Sequence, residues 1–251
     1  MTSIALETID LCKQFGGLRV TNAVALQLRT GGRHALIGPN GAGKSTLINL
    51  LTGVLQPSRG AIHLNGERID RLPTEQRIAR GLGRTFQVNA LFPQLTPLES
   101  IMLAIARRTG LLGRPLLALH RRSEIADEAF ELAASLGLRD ACLTPTAELP
   151  YGRQRLLEIA LALAGKPTVL LLDEPAAGVP AGESLELMEA IEALPADVSV
   201  LFIEHDMDLV FRFAEKVTVL VAGSILCEGT PGDIANDPDV RRVYLGVDGH
   251  G

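Results

Sequence analysis

Residues 34–54 read HALIGPNGAGKSTLINLLTGV, and this stretch decides the fold. His34–Ile37 is a short apolar run of the kind that makes a buried strand. It is followed by Gly38-Pro39-Asn40-Gly41-Ala42-Gly43-Lys44-Ser45-Thr46, the pattern G-x-x-x-x-G-K-[ST] of the Walker A motif. Its glycines let backbone N–H groups turn inward and form an anion nest. Lys44–Val54 continues as an apolar helical stretch, whose N-terminus adds its dipole and its free N–H groups. Lys44 is placed to reach the β- and γ-phosphates of a nucleotide, and the Ser45 hydroxyl to ligate the Mg²⁺ that bridges them. Strand, glycine loop and helix in this order predict an α/β fold with a P-loop NTPase core.

Working outward, strand-like and helix-like segments alternate. Ile4–Cys12 and Arg19–Leu28 predict strands on either side of a turn at Phe15-Gly16-Gly17. Ala61–Leu64 before Asn65-Gly66 predicts a hairpin, because Asn-Gly favours the tight primed turn. These elements form an antiparallel β subdomain. Between Thr96 and Ala164 no strand pattern appears. Ser123–Leu136 carries Ile125, Ala129, Leu132, Ala133 and Leu136 at helical spacing, with Gly137 as its cap, and Gly152–Ala164 reads as another helix. Val169–Leu172 and Val198–Ile203 are runs typical of buried parallel strands. Lys216–Val221 and Ser224–Glu228 flank Ala222-Gly223 as a closing hairpin, and Pro238–Leu245 reads as a short helix before a loose tail. The 251 residues are thus expected to form a single domain. Its core covers about 1–87 and 166–236, its all-helical insert about 88–165, and its C-terminal helix and tail about 237–251.

Composition narrows the function classes. Hydrophobic residues make up 47% and charged residues 21%, which excludes disorder for the bulk of the chain. The net charge of −5 argues against a broad basic face for nucleic acid. With seven Phe, two Tyr and no Trp, the core must be built from Leu, Ile, Val and Ala. Cys12, Cys142 and Cys227 are odd in number and widely spaced, so they make neither a disulfide framework nor a zinc knuckle, and a reducing cytoplasm suits them. The opening MTSIALETIDLCKQF is interrupted by Glu7 and Asp10 and does not read as a signal peptide. The most apolar long stretch, Ile101–Leu119, is broken by Arg107, Arg108, Gly110, Arg114 and Pro115, so no membrane span is expected.

Val169-Leu170-Leu171-Leu172-Asp173-Glu174 is an apolar strand ending in two carboxylates, the form of a Walker B motif. Neighbouring strand residues point to opposite sides. Asp173 is therefore expected to orient the Mg²⁺ shell while Glu174 addresses an attacking water.

With both motifs in place the chain resembles the nucleotide-binding subunit of an ATP-binding-cassette (ABC) transporter over about residues 4–246. Gln87, in Arg84-Thr85-Phe86-Gln87, sits at the family's Q-loop position. Leu149-Pro150-Tyr151-Gly152-Arg153-Gln154-Arg155 sits at the signature, usually L-S-G-G-Q, and Ala176-Ala177-Gly178-Val179-Pro180 at the D-loop. His205, after Val200-Leu201-Phe202-Ile203-Glu204, matches the switch histidine, and Phe15 the aromatic under the adenine. The resemblance implies ATP and Mg²⁺ as ligands. It implies catalytic roles for Lys44, Gln87, Glu174 and His205, and metal contacts for Ser45, Gln87 and Asp173. Nucleotide contacts fall to Phe15, the Gly38–Thr46 loop, Gln87 and Asp173, and from the opposite subunit to Tyr151, Gly152, Arg153 and Gln154.

Two departures stand out. Pro150 replaces the usual signature Ser, and supplies neither a hydroxyl nor a backbone N–H. The helix that follows it is expected to hold the γ-phosphate of the opposite site by its N-terminus. Pro180 stands in the D-loop where an acidic residue or Asn is usual. Tyr-Gly after the substituted Ser, then Leu157-Glu158-Ile159-Ala160, and the ending Val243-Tyr244-Leu245-Gly246 are similar to the branched-chain amino acid importers. That resemblance implies membrane permease subunits, a second ABC ATPase subunit and, indirectly, a periplasmic solute-binding protein as partners, at the cytoplasmic face of the inner membrane. Val88–Ser100, with Leu91 and Phe92, is the expected permease dock. Arg107-Arg108 and Arg121-Arg122 suit either anionic lipid headgroups or a solvated helical face. Urea or amide import and lipid export remain as alternatives, as does a soluble ABC ATPase. A GTPase is disfavoured because no N-K-x-D occurs.

Overall fold

The structure, a computed structural model, describes residues 3–85, 91–111 and 123–245. By its internal packing the chain divides into two units. One comprises residues 1–82, 168–174 and 195–251, the other 83–167 and 175–194.

The first unit opens with β1 (Ile4–Phe15), β2 (Leu18–Val24) and β3 (Gln27–Arg29). The turn falls at Gly16-Gly17, within the predicted Phe15-Gly16-Gly17, while β1 runs past its predicted end at Cys12 and takes in Phe15, which pairs with Leu18. The expected strand Arg19–Leu28 is in fact two strands. Both pair antiparallel with β1, β3 opposite its start (Ile4↔Arg29) and β2 opposite its end (Phe15↔Leu18). The break has a local cause. Ala23 is left-handed (φ 49°), and the Thr8 hydroxyl takes over the ladder there. It donates to the Val24 carbonyl at 3.0 Å and accepts from the Leu26 N–H at 2.9 Å. β5 (Arg59–Leu64) and β6 (Glu67–Arg68) complete this sheet, in the order β2-β1-β5-β6 with β3 also on β1. The Asn65-Gly66 turn between β5 and β6 has the two positive φ values, 51° and 81°, of the primed hairpin.

The second sheet holds the apolar runs. β4 (Arg33–Ile37), β8 (Val169–Asp173) and β9 (Ser199–Ile203) are buried at every residue, as parallel strands covered on both faces must be. β10 (Lys216–Val221) pairs parallel with β4, and β11 (Ser224–Gly229) antiparallel with β10. With β7 (Leu82–Arg84) the order is β11-β10-β4-β9-β8-β7. Leu36, Leu47, Ile48, Leu51, Leu171, Leu201 and Ile203 belong to one buried cluster. The aliphatic core expected from the scarcity of aromatics is therefore present. α1 (Lys44–Thr52) stops two residues before the predicted Val54, because Gly53 turns left-handed (φ 82°) and caps it. α2 (Thr74–Ala79) follows β6.

The second unit is helical. α3 (Pro97–Arg108) starts in a capping box: Thr96 accepts from the Glu99 N–H, and the Glu99 carboxylate accepts from the Thr96 N–H. α3 packs on α4 (Ser123–Ser135), and α5 (Tyr151–Leu163) on α6 (Ala181–Glu192). Arg108 joins the first pair, with a nitrogen 2.7 Å from Glu128 and another donating to the Ala164 carbonyl. That spends one member of the Arg107-Arg108 pair internally; Arg121 and Arg122 lie outside the described residues. The first unit ends in α7 (Met207–Phe213), α8 (Pro231–Asn236) and α9 (Pro238–Leu245), the last with the predicted bounds. No helix among the described residues is long and apolar enough to cross a membrane.

Candidate functional site

Parallel register brings the chemistry to one edge. Ile203 pairs with Leu36 on one side and Asp173 on the other. The ends of β4, β9 and β8 are therefore level. The glycine loop leaves β4, Glu174 follows β8, and His205 follows β9. Ligands of α/β sheets bind at this carboxyl edge.

The loop is held by its own backbone. Gly38 has φ 157°, and a Cβ there would lie 2.1 Å from the Leu220 carbonyl oxygen, so only glycine lets the loop pass β10. The Ala42 carbonyl accepts from the Gly223 N–H at 2.9 Å, tying the loop to the β10–β11 turn. α1 begins at Lys44 after a left-handed Gly43, and no side chain caps it. The first-turn N–H groups of a helix have no partner within the helix. They form, with the loop, an anion cradle. The Lys44 ammonium donates to the Gly38 and Pro39 carbonyls at 2.6 and 3.1 Å. Burial pulls its pKa down, and the nearby Glu174 and Asp173 charges pull it back up. Asp173 is buried and Ser45 exposed. A hydroxyl and a carboxylate are hard oxygen donors that suit Mg²⁺. No group of three His, Cys, Asp or Glu side chains able to hold a metal occurs among the described residues. Such a donor set fits an ion that takes its other ligands from substrate phosphates and water.

Glu174 corrects the expected geometry. β8 ends at Asp173, and Glu174 is left-handed (φ 52°), so its side chain is aimed by a turn rather than by strand alternation. Its N–H donates to the Ile203 carbonyl at 3.0 Å, which fixes the turn against β9. Its carboxylate lies 2.7 Å from His205 Nε2. Sequence reasoning assigned these two groups separate tasks, and the structure joins them in one hydrogen bond.

Phe15 is 46% exposed at the tip of the β1–β2 turn, with the Lys13 ammonium 5.0 Å from its ring centroid. It does not serve the core. An exposed ring beside a cation suits stacking with a base.

The signature segment is described within the second unit. α5 begins at Tyr151 after Pro150, with no side-chain cap. The Gly152 N–H donates to Glu183 Oε2 at 2.9 Å. Arg153 pairs with Asp140 at 2.9 Å, and the Gln154 amide donates to the Leu149 carbonyl. The Tyr151 ring lies under the Arg155 guanidinium, 5.2 Å away, and beside Gly178 of the D-loop. Gln87 and Phe86 lie outside the described residues, as do Val88, Asn89 and Ala90 of the expected dock. Of the remainder, Phe92 is 63% exposed and Leu91 half-buried.

Sequence reasoning missed three residues. Arg77, wholly buried, donates to the Leu50 and Leu51 carbonyls at the end of α1 and to those of Asp70 and Leu72. Tyr244 on α9 lies near Gly38, and partial burial of its phenol pushes that group up to about 12. Glu183 holds the signature helix. Arg77 and Glu183 belong to no sequence motif, and Tyr244 stood out only within the ending that resembles the importers; Arg77 reaches Leu50 and Leu51, and Glu183 reaches Gly152, only through the fold.

A family model described as ABC transporter matches residues 21–177, and one described as branched-chain amino acid ATP-binding cassette transporter matches residues 224–250. The chain is 40% identical over 255 residues to the high-affinity branched-chain amino acid transport ATP-binding protein LivG of Salmonella typhimurium, covering 98% of this chain and 99% of that one. It is 40% identical over 258 residues to the corresponding protein BraF of Pseudomonas aeruginosa, with the same coverage. An ATP-binding cassette of an ABC transporter, solved in its ADP conformation, superposes with a TM-score of 0.85 at 30% identity, covering 98% of this chain and all of that one. The glycine loop, Asp173, Glu174 and His205 thus stand at one sheet edge in a chain that matches an ABC transporter family model and near-full-length ATP-binding relatives: the protein belongs to the ABC transporter family, as an ATP-binding cassette.

Proposed function

We propose that this chain is the ATP-hydrolysing subunit of an importer for branched-chain or related amino acids. The observation that carries hydrolysis is the convergence of Lys44, Asp173, Glu174 and His205 on the loop and strand ends of one sheet edge. The solute class is supported by the names of the relatives and by the match of residues 224–250.

In this reading the loop and the first turn of α1 bind the phosphates through backbone N–H groups, and Phe15 stacks on the adenine. Lys44 leaves the Gly38 and Pro39 carbonyls for the β- and γ-phosphates. Ser45, Asp173 and Gln87 would hold Mg²⁺, which would supply charge neutralisation at the phosphate oxygens. Glu174 accepts a proton from the attacking water, and His205 orients that carboxylate and contacts the γ-phosphate. Positioning and charge stabilisation supply the rate. The N-terminus of α5 from a second ATPase subunit, with Tyr151, Gly152, Arg153 and Gln154, completes each site. In this reading a permease subunit covers exposed Phe92 at the cytoplasmic side of the inner membrane, and a periplasmic solute-binding protein delivers the solute.

The test is capture of tagged Glu174→Gln chain from detergent-solubilised native membranes in Mg-ATP, read by mass spectrometry. Two polytopic permeases and a second ATPase are expected, and a solute-binding protein recovered with them can be screened with amino acids. Recovery of ribosomal or DNA-repair proteins without a permease contradicts the proposal. A permease complex whose binding protein takes only urea or amides, or a lipid-export complex, contradicts the amino-acid assignment alone.

A further inference from the structure

The signature helix already holds an anion. α5 has lost its hydroxyl cap to Pro150, and its Gly152 N–H is taken by the Glu183 carboxylate at 2.9 Å. The fit is close. A Cβ on Gly152 would lie 2.4 Å from Glu183 Oε2 and 3.0 Å from the Glu183 Cβ, so glycine is needed for this approach. Glu183 lies in the first turn of α6, directly after the D-loop, and the Ser184 hydroxyl donates to the Val179 and Pro180 carbonyls, fixing that turn. The other polar side chains of the signature are turned elsewhere, Arg153 to Asp140 and Gln154 to the Leu149 carbonyl. The Gly152 amide is thus one of the first-turn donors this helix end offers to a γ-phosphate, and a carboxylate sits on it.

We infer that Glu183 is a displaceable occupant of the signature: its carboxylate takes the place of the partner site's γ-phosphate at Gly152 until ATP drives it off. The inference rests on the reading that α5 completes a second subunit's site. Two anions on one N–H repel at close range, and little water remains between them to screen the charge. Closure of the dimer therefore requires Glu183 to swing away. That raises the ATP concentration needed for closure and ties the signature to the D-loop that precedes Glu183. ADP lacks the γ-phosphate and leaves the carboxylate in place. Glu183 acts as a positioning residue, since it touches Gly152 and not the nucleotide.

The experiment uses the full chain carrying Glu174→Gln, which retains ATP. Mg-ATP is titrated while dimerisation is followed by light scattering, with fluorescent-ADP binding to the monomer and the melting temperature as controls. Glu183→Gln keeps an acceptor for the Gly152 N–H and removes the charge. It is expected to lower the ATP concentration for half-maximal dimerisation about fivefold or more, with ADP affinity and melting temperature unchanged. Glu183→Ala is expected to shift in the same direction. A Gln variant that behaves like its parent, with an Ala variant that melts earlier and closes less readily, makes Glu183 an ordinary helix cap and overturns the inference. A parent that binds ATP yet never dimerises, alone or with its co-purified second ATPase, overturns the two-subunit site, and the inference with it.

Discussion

Arg77 supports the nucleotide loop from behind, and replacing it with Met tests that. The guanidinium is wholly buried and donates to four carbonyls: Leu50 at 2.6 Å, Leu51 at 2.7 Å, Asp70 at 2.8 Å and Leu72 at 2.9 Å. Two of them end α1, whose C-terminal dipole also favours a cation. A hydrogen bond to a charged group contributes about 1.5–3 kcal/mol, so four set a ceiling near 6–12 kcal/mol. Taking the guanidinium out of water costs several kcal/mol, which the Met variant recovers. The Leu50 carbonyl also accepts from the Gly53 N–H at 3.3 Å, so it is not wholly stranded. The net loss works out at roughly 3–5 kcal/mol, the range for breaking a buried charged network. For a chain of this size that lowers the melting temperature by roughly 6–20 °C. Calorimetry and urea titration measure both, and a nucleotide titration of the variant below its transition should show weakened ATP binding. Arg77→Lys, with one nitrogen for four carbonyls, should fall between. A loss under about 1 kcal/mol would refute the argument, since the carbonyls would then have found other partners at little cost.

Other consequences are more local. Lys44→Ala should abolish detectable ATP binding in a fluorescence titration, and retained hydrolysis would contradict the loop assignment. Phe15→Ala should weaken ATP by about 1 kcal/mol, roughly fivefold, with phosphate contacts intact; an unchanged affinity would remove the adenine role. His34 predicts acid sensitivity. Its ring is buried in β4, 2.7 Å from the Thr218 hydroxyl, and burial above all, with the Lys216 charge, lowers its pKa from 6.5 to about 4. Above pH 6.5 the ring is neutral in both folded and unfolded chains and stability does not depend on it. Between pH 6.5 and 4 the unfolded chain binds the proton and the folded chain does not, so stability falls on acidification, by about 3 kcal/mol in all. Urea titrations of wild type and His34→Asn across that window should show a shallower decline in the variant.

Much of this was legible because the informative patterns are local. The glycine loop, its strand and its helix are contiguous, so each predicts its neighbour. The Asn65-Gly66 hairpin and the helix Pro238–Leu245 are short-range features of the same kind. The split of Arg19–Leu28 into β2 and β3 was not legible, because it is caused by Thr8, a residue of another strand whose hydroxyl replaces a ladder bond. The aim of Glu174 depended on a left-handed turn that an acidic residue does not announce. Its hydrogen bond to His205 depended on β8 and β9 being neighbours, although 31 residues separate the two side chains. Arg77 and Glu183 fall in no sequence motif, and only packing shows which backbone groups they hold.

The central claim is that Glu174 activates the water at a site built by the glycine loop and the ends of β4, β8 and β9. Phosphate release from Mg-ATP, measured for wild type and Glu174→Gln in the membrane complex captured with each, tests it most directly, with ATP binding followed in parallel. The account predicts a loss of about 100-fold or more in phosphate release, as expected for removal of a general base, with ATP affinity retained. Phosphate release by Glu174→Gln at the wild-type rate would contradict it.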